Sequence, residues 1–246
     1  MRKSGWVCLR AFIHKQKTRP QSLIAAKAAP VVSVPVSSTT TSYDVFELCV
    51  QRASSLIKLH KVAHGKAGKP EKYTSDAHRA AIVLAISALD AFIRTFVILK
   101  VRQIFTRRNS PLPDSLVDQV KKFLKFEDVL EAARKDDLLE RVQKALYSDF
   151  GRRSFQGTRN IEDYLKIIGY EDVFREVARR AKINEASLRS ELDRFTNRRH
   201  LIAHHGDYDL QQNPPLENLI TKKDAEECIR LVRCIAKHMH ALEAQQ

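Results

Sequence analysis

Three histidines and three arginines lie within fifteen residues near the C-terminal end of the chain, in the segment DRFTNRRHLIAHHGD at 193–207. Histidine titrates near neutral pH and can carry protons. Arginine presents a planar fork of donors that neutralises a phosphate. One histidine and one arginine are therefore sufficient for acid–base cleavage of RNA, in which the substrate's own 2′-hydroxyl is the nucleophile.

Helical spacing gives this segment two faces. The residues Leu188, Leu192, Phe195 and Ile202 recur at i, i+4, i+7 and i+14 and form an apolar stripe. Arg199 falls on that stripe at i+11, where its permanent charge needs an acidic or anionic partner. The opposite face carries Asp193, Asn197, His200 and His204.

Two other interpretations of the segment remain open. His200 and His204 have the i, i+4 spacing of metal ligands, but Leu201 stands where H-E-x-x-H requires Glu. The further ligands at hand are His205 and Asp207. The segment is also typical of a solvated basic helix end, because cations are favoured at a helix C-terminus.

The elements that must position these residues are predicted to be helices. The chain of 246 residues has 7 glycines and 8 prolines, and no proline falls between positions 114 and 213. Long proline-free stretches favour helices over a β-sandwich or barrel. The glycine positions form no G-x-G-x-x-G or Walker loop, which excludes Rossmann and P-loop enzymes. We predict one all-α domain over 43–246, built around a long central helix.

The predicted helices are 42–64, 75–108, a charged helical region at 114–150, 160–168, 171–181, a helix capped by Asn184 that ends near Gly206, and 221–244. A basic loop is expected at 151–157.

The second helix is apolar enough to span a membrane. Asp90 and Arg94 near its middle would be costly in a bilayer, so a buried central helix and no membrane are expected. The Asp90–Arg94 pair is either a self-satisfied salt bridge or part of a cleft or subunit contact.

The motif Arg199–His204 resembles the R-x4-H motif of HEPN domains, with His200 as the polar residue that follows the arginine. Three further segments resemble the HEPN branch associated with ribonuclease L-like and phage-defence systems. They are AAIVLAISALDAFI in the second helix, SFQGTRNIEDYLKIIGY before the motif, and ITKKDAEECIRLV after it. The resemblance covers about 75–246.

The resemblance implies an all-α HEPN-like helical bundle with a metal-independent endoribonuclease activity on single-stranded RNA. It implies no cofactor, no metal, and a homodimer with a composite site, in a toxin or phage-defence role with an antitoxin or regulatory partner. The catalytic residues would be Arg199 and His204. His200, Asn197 and Arg198 would orient the substrate, and Asp90, Arg94 and Asp207 would support them. Arg198 is an alternative family arginine with five intervening residues, and a non-catalytic module that binds RNA, nucleotide or a partner protein is the alternative function.

The net positive charge of the chain favours a polyanionic partner such as RNA. The chain carries 43 basic and 29 acidic residues, and seven of the basic ones lie in residues 1–42, which have no acid. We expect 1–42 to be a disordered basic tail. Its other open interpretations are a targeting presequence, a mis-called start and a functional arm.

Four cysteines without a C-x-x-C pair favour a reducing cytoplasm.

Overall fold

The computed structural model describes residues 41–63, 72–107, 111–152 and 157–243. The expected basic tail therefore lies outside the described residues, apart from Thr41 and Ser42. Within the described ranges the chain forms α1 Ser42–Ala63, α2 Lys72–Thr106, α3 Asp114–Phe123, α4 Phe126–Arg134, α5 Leu138–Arg152, α6 Thr158–Ile167, α7 Val173–Ala181, α8 Glu185–His205, β1 Tyr208–Asp209, β2 Leu216–Glu217 and α9 Lys222–Glu243. The prediction of an all-α bundle is confirmed.

Helix α2 is the central element of the bundle and packs against α1, α5, α6, α8 and α9. Three of its large apolar residues, Ile82, Phe92 and Phe96, are at most 2% exposed. Ser75–Thr106 is long and apolar enough to cross a membrane by length and composition alone, and 56% of its most apolar window is buried inside the protein. The burial agrees with the predicted central helix of a bundle.

The start and end of α8 follow from its capping residues. Asn184 Oδ1 accepts a hydrogen bond from the Ser187 N–H at 2.9 Å, which satisfies one free donor of the first turn. Gly206 has φ +60°, a left-handed conformation that ends the helix and that glycine adopts without strain. The motif helix predicted from the sequence is therefore confirmed at both ends.

The middle of the chain departs from the prediction. The charged region at 114–150 is three short helices, because Leu124 is extended and Asp136 adopts a left-handed conformation with φ +56°. Helix α5 then continues through Gly151 to Arg152, so the basic loop expected from 151 begins later than predicted. A glycine in the last turn of a helix costs only about 1 kcal/mol relative to alanine, which does not end the helix by itself.

A short β-hairpin follows α8 where the sequence predicted a polar loop. Tyr208 pairs with Glu217 and Asp209 with Leu216 in antiparallel register. Each strand has two residues, too few for an alternating pattern to be visible in the sequence. The hairpin places the segment before α9 next to the end of α8.

Candidate functional site

Helix α8 is anchored by its first two-thirds and exposed at its end. Leu188, Leu192 and Phe195 are at most 2% exposed, and the helix packs against α2, α6, α7 and α9. Beyond Phe195 the apolar stripe has only Arg199 and the half-buried Ile202 left. The last two turns therefore present polar side chains at the surface.

The three histidines at the end of α8 are exposed and lie close together. The ring centroids of His200 and His204 are 4.5 Å apart, and those of His200 and His205 are 6.3 Å apart. No hydrogen bond or ion pair joins any of the three rings to another described residue. Their nitrogens are consequently available to a ligand.

The two neighbouring arginines of the motif differ in what they contact. Arg198 Nη2 donates to Asp207 Oδ2 and to the Leu219 carbonyl, each at 2.8 Å. Arg199 is half-buried and makes no hydrogen bond or ion pair with any described residue. The Nε atoms of both arginines are buried and lack a hydrogen-bond partner among the described residues, so the two differ in the contacts of their terminal nitrogens. A guanidinium without a protein partner is suited to receive an anion.

Asp207 is the centre of a buried ion cluster that holds Arg198. Its carboxylate is fully buried and accepts a second hydrogen bond, from Arg79 Nε at 2.8 Å. The Arg79 side chain is 7% exposed, and its Nη1 lies 2.9 Å from Glu217 Oε1. Arg79 Nη2 also donates to the Asn218 carbonyl at 2.8 Å. The cluster ties α2, the end of α8 and the hairpin together.

Arg79 and Glu217 are residues of this cluster that the sequence did not identify as part of the site. Arg79 shares a polar stripe on the largely apolar α2 with Asp76, Asp90 and Arg94. This stripe is the available signal for Arg79, but its partner Asp207 lies 128 residues away in the chain. Local spacing reveals only its contacts within α2, to Ser75 Oγ at 2.7 Å and Asp76 Oδ1 at 3.2 Å. Which distant carboxylate it meets depends on the packing of the bundle.

On the polar face predicted for α8, one side chain is bound to a neighbouring helix and another has an amide without a hydrogen bond among the described residues. Asp193 caps α6, since its Oδ1 and Oδ2 accept from the Thr158 N–H and Oγ1 at 2.8 and 2.9 Å. Asn197 is exposed, and the hydrogen bonds of the described residues leave its amide unpaired. Asn197 therefore remains available next to the histidines, whereas Asp193 does not.

Asp90 and Arg94 lie elsewhere on α2. Arg94 Nε donates to Asp90 Oδ2 at 2.8 Å, with both side chains mostly buried. Asp90 is eleven residues beyond Arg79, about 16 Å along a straight helix. Their support of the site stays a prediction.

A pocket of about 310 Å³ opens beside α8. Five residues of α8 line it, together with Ile82 of α2 and three residues around the start of α9. We call it the α8 pocket. It includes Asn197 and Arg198 but neither Arg199 nor a histidine of the motif.

The described residues provide no set of ligands that would support a metal site at the histidines of α8. Across the described ranges, no three His, Cys, Asp or Glu side chains are grouped so that they could hold a metal ion. Asp207, one of the further ligands considered, is committed to Arg79 and Arg198.

Residues 48–241 match a family model described as RiboL-PSP-HEPN. The match extends from within α1 to within α9 and includes the central helix and the motif helix. No curated protein and no solved structure matches the chain.

Proposed function

The chain belongs to the RiboL-PSP-HEPN family, and on that premise we propose that it is an endoribonuclease that cleaves single-stranded RNA through Arg199 and His204. Family membership suggests a nuclease or RNA-related role. The proposal adds the reaction, the substrate and the residues. One observation above all supports it: no hydrogen bond or ion pair joins Arg199 to a described residue, whereas Arg198 is bound to Asp207.

The proposed reaction uses groups already present in the protein and in RNA. The 2′-hydroxyl oxygen attacks the adjacent phosphorus, the bond from phosphorus to the 5′-oxygen breaks, and a 2′,3′-cyclic phosphate and a 5′-hydroxyl are formed. Arg199 neutralises the charge of the phosphate. His204 accepts the proton of the 2′-hydroxyl or donates one to the leaving oxygen. His200 and Asn197 orient the substrate.

We further propose that two copies of the chain form the site. His204 comes five positions after Arg199, and five steps of 100° place the two residues about 140° apart on a straight helix. Side chains that diverge by this angle do not meet over one phosphate. A twofold axis that brings together the ends of two α8 helices places a second Arg–His pair opposite the first.

Cleavage of unstructured RNA in the presence of EDTA tests the proposal. We expect the wild-type protein to leave 2′,3′-cyclic phosphate ends, and His204→Ala to lose at least about 10²-fold in rate, the usual contribution of an acid–base group. His238→Ala is the matched control, because His238 lies on α9 and is only half-buried. Equal cleavage by the wild type and His204→Ala would refute the assignment.

The biological setting is also proposed. The family supports a toxin or phage-defence role in the cytoplasm, with an antitoxin or regulatory partner. If the pure protein binds RNA without cutting it, the function is instead that of a non-catalytic HEPN module.

A further inference from the structure

We propose that the α8 pocket binds one nucleobase of the RNA, on a nucleotide beside the phosphate that is cut. The inference rests on the proposed function, because it names the part of the substrate that the same helix would hold. It also gives the protein a means of choosing where it cuts, which the Arg–His pair by itself does not supply. Phosphate contacts position a nucleic acid, whereas base contacts specify its sequence.

The walls of the α8 pocket suit a flat apolar ring. Its inner residues Ile82 and Phe195 are at most 1% exposed, and Leu201 and Leu219 are exposed at its edge. The guanidinium carbon of Arg194 lies 4.0 Å from the centroid of the Phe195 ring. A volume of about 310 Å³ is at the lower end of the range of roughly 300–1,000 Å³ for ligand pockets. Proteins that read single-stranded RNA stack unpaired bases on aromatic rings and on arginine planes.

The charges around the α8 pocket favour a neutral ligand over a phosphate. Arg194 Nη2 is 2.6 Å from Glu191 Oε2, and Arg198 is bound to the buried Asp207. Asp224 adds a negative charge: burial opposes its ionisation, but hydrogen bonds from Thr221 and the nearby guanidiniums outweigh burial and lower the pKa of the carboxyl. The arginine without a protein partner, Arg199, is absent from the pocket lining.

Asn197 is the polar group that the α8 pocket offers to a base. Its amide has no partner among the described residues, and it carries both a donor and an acceptor, which match the edges of a base. Asn197 precedes His204 by seven residues, two helical turns or about 10 Å along the axis. Leu201, at the pocket edge, precedes His204 by three residues and lies on the neighbouring surface of the helix. A base in the pocket therefore belongs to a nucleotide next to the reacting phosphate.

The first experiment measures binding without cleavage. Adenosine, guanosine, cytidine and uridine are titrated separately into ¹⁵N-labelled protein, and the shift of the Asn197 side-chain amide is followed. We expect at least one nucleoside to shift that amide. Because one or two hydrogen bonds are lost, Asn197→Leu should weaken this binding about tenfold, measured on the neighbouring backbone amides.

Two controls separate the α8 pocket from the helix surface and from the reaction. Ser190→Leu makes an equally apolar change at an exposed position seven residues before Asn197, on the same helix face but outside the pocket. Ser190→Leu and His204→Ala should both bind nucleosides as the wild type does. If no nucleoside shifts the Asn197 amide, or if Asn197→Leu binds as well as the wild type, the base pocket is wrong.

The second experiment reads the sequence of the cut sites in an RNA of random sequence. The wild type and Ser190→Leu should favour one or two bases at a position next to the cut, and Asn197→Leu should lose that preference. Wild-type cleavage with no base preference would overturn the pocket proposal. Nucleoside binding by a wild type that does not cleave RNA would instead refute the ribonuclease and leave the pocket supported, so the two failures are distinguishable.

Discussion

Arg198 and Arg199 are neighbours in the chain, yet the fold uses them differently. Helical spacing placed Arg199 on the apolar stripe and left Arg198 beside it, which favoured Arg199 as the family arginine. The contacts add a reason that the sequence did not contain: Arg198 is bound to Asp207 and to the Leu219 carbonyl, whereas Arg199 makes no hydrogen bond or ion pair with any described residue.

Substitution by alanine should therefore affect activity at Arg199 and stability at Arg198. Arg199→Ala should reduce RNA cleavage by about 10²- to 10³-fold, as expected when a donor to developing charge is removed, with an unchanged melting temperature. Arg198→Ala should destabilise the protein by about 1–3 kcal/mol, because it leaves a buried carboxylate with one guanidinium fewer. Cleavage assays and thermal melts of both variants measure this. If Arg198→Ala abolishes cleavage and keeps full stability while Arg199→Ala remains active, the two roles are reversed.

At the scale of elements, short-range signals located the helices and long-range contacts built the site. Asn184 and Gly206 predicted the limits of α8 because capping depends on residues within one turn. The break between α3 and α4 carries no proline or glycine and was not predicted. The Arg79–Asp207 contact spans 128 residues, so it follows from the packing of α2 against α8 and could not be inferred from spacing.

The buried ion cluster should make Asp207 a major contributor to stability. Asp207→Asn removes the charge that two guanidiniums share, and breaking a buried pair costs about 3–5 kcal/mol. The free energy of unfolding in urea is the measurement. Asp118→Asn is the matched control, because it removes a carboxylate from a 3.5 Å ion pair with Lys121 in which both side chains are about two-thirds exposed, where about 0–1 kcal/mol is expected. Equal losses from the two substitutions would contradict the cluster's role.

At the scale of the whole molecule, half of the net charge of +14 belongs to residues 1–42. Deletion of 1–40 keeps Thr41, whose N–H and Oγ1 donate to Asp44 Oδ2 at 2.7 and 2.8 Å at the start of α1. We expect the deletion to preserve the cooperative melt. The slope of log K against log salt for binding of single-stranded RNA should fall by up to about 5, because up to seven phosphate contacts are lost.

Binding of His204→Ala protein to oligouridine at several salt concentrations, with and without 1–40, measures that slope. A truncated chain that no longer melts cooperatively would show that the segment belongs to the folded structure.

A site shared by two copies predicts complementation. Arg199→Ala and His204→Ala chains, each strongly impaired alone, should recover part of the wild-type activity when mixed under conditions that allow subunit exchange, because the mixed dimer retains one arginine and one histidine. Cleavage after mixing is measured alongside demonstrated exchange. A wild type that is active yet monomeric by light scattering would rule out the shared site.

The hairpin has a consequence for the covalent continuity of the chain. Hydrogen bonds hold the two ends of the hairpin together independently of the loop that connects the strands. The Asn218 N–H and Nδ2 donate to the Asp207 carbonyl at 2.9 and 2.8 Å, and Arg79 contacts both residues. The peptide bonds at the tip, around the exposed Gln211 and Gln212, are thus dispensable for holding α9 in place. Two polypeptides, 1–211 and 212–246, should assemble when they are produced together and purify as one particle, and Asp207→Asn should weaken their association.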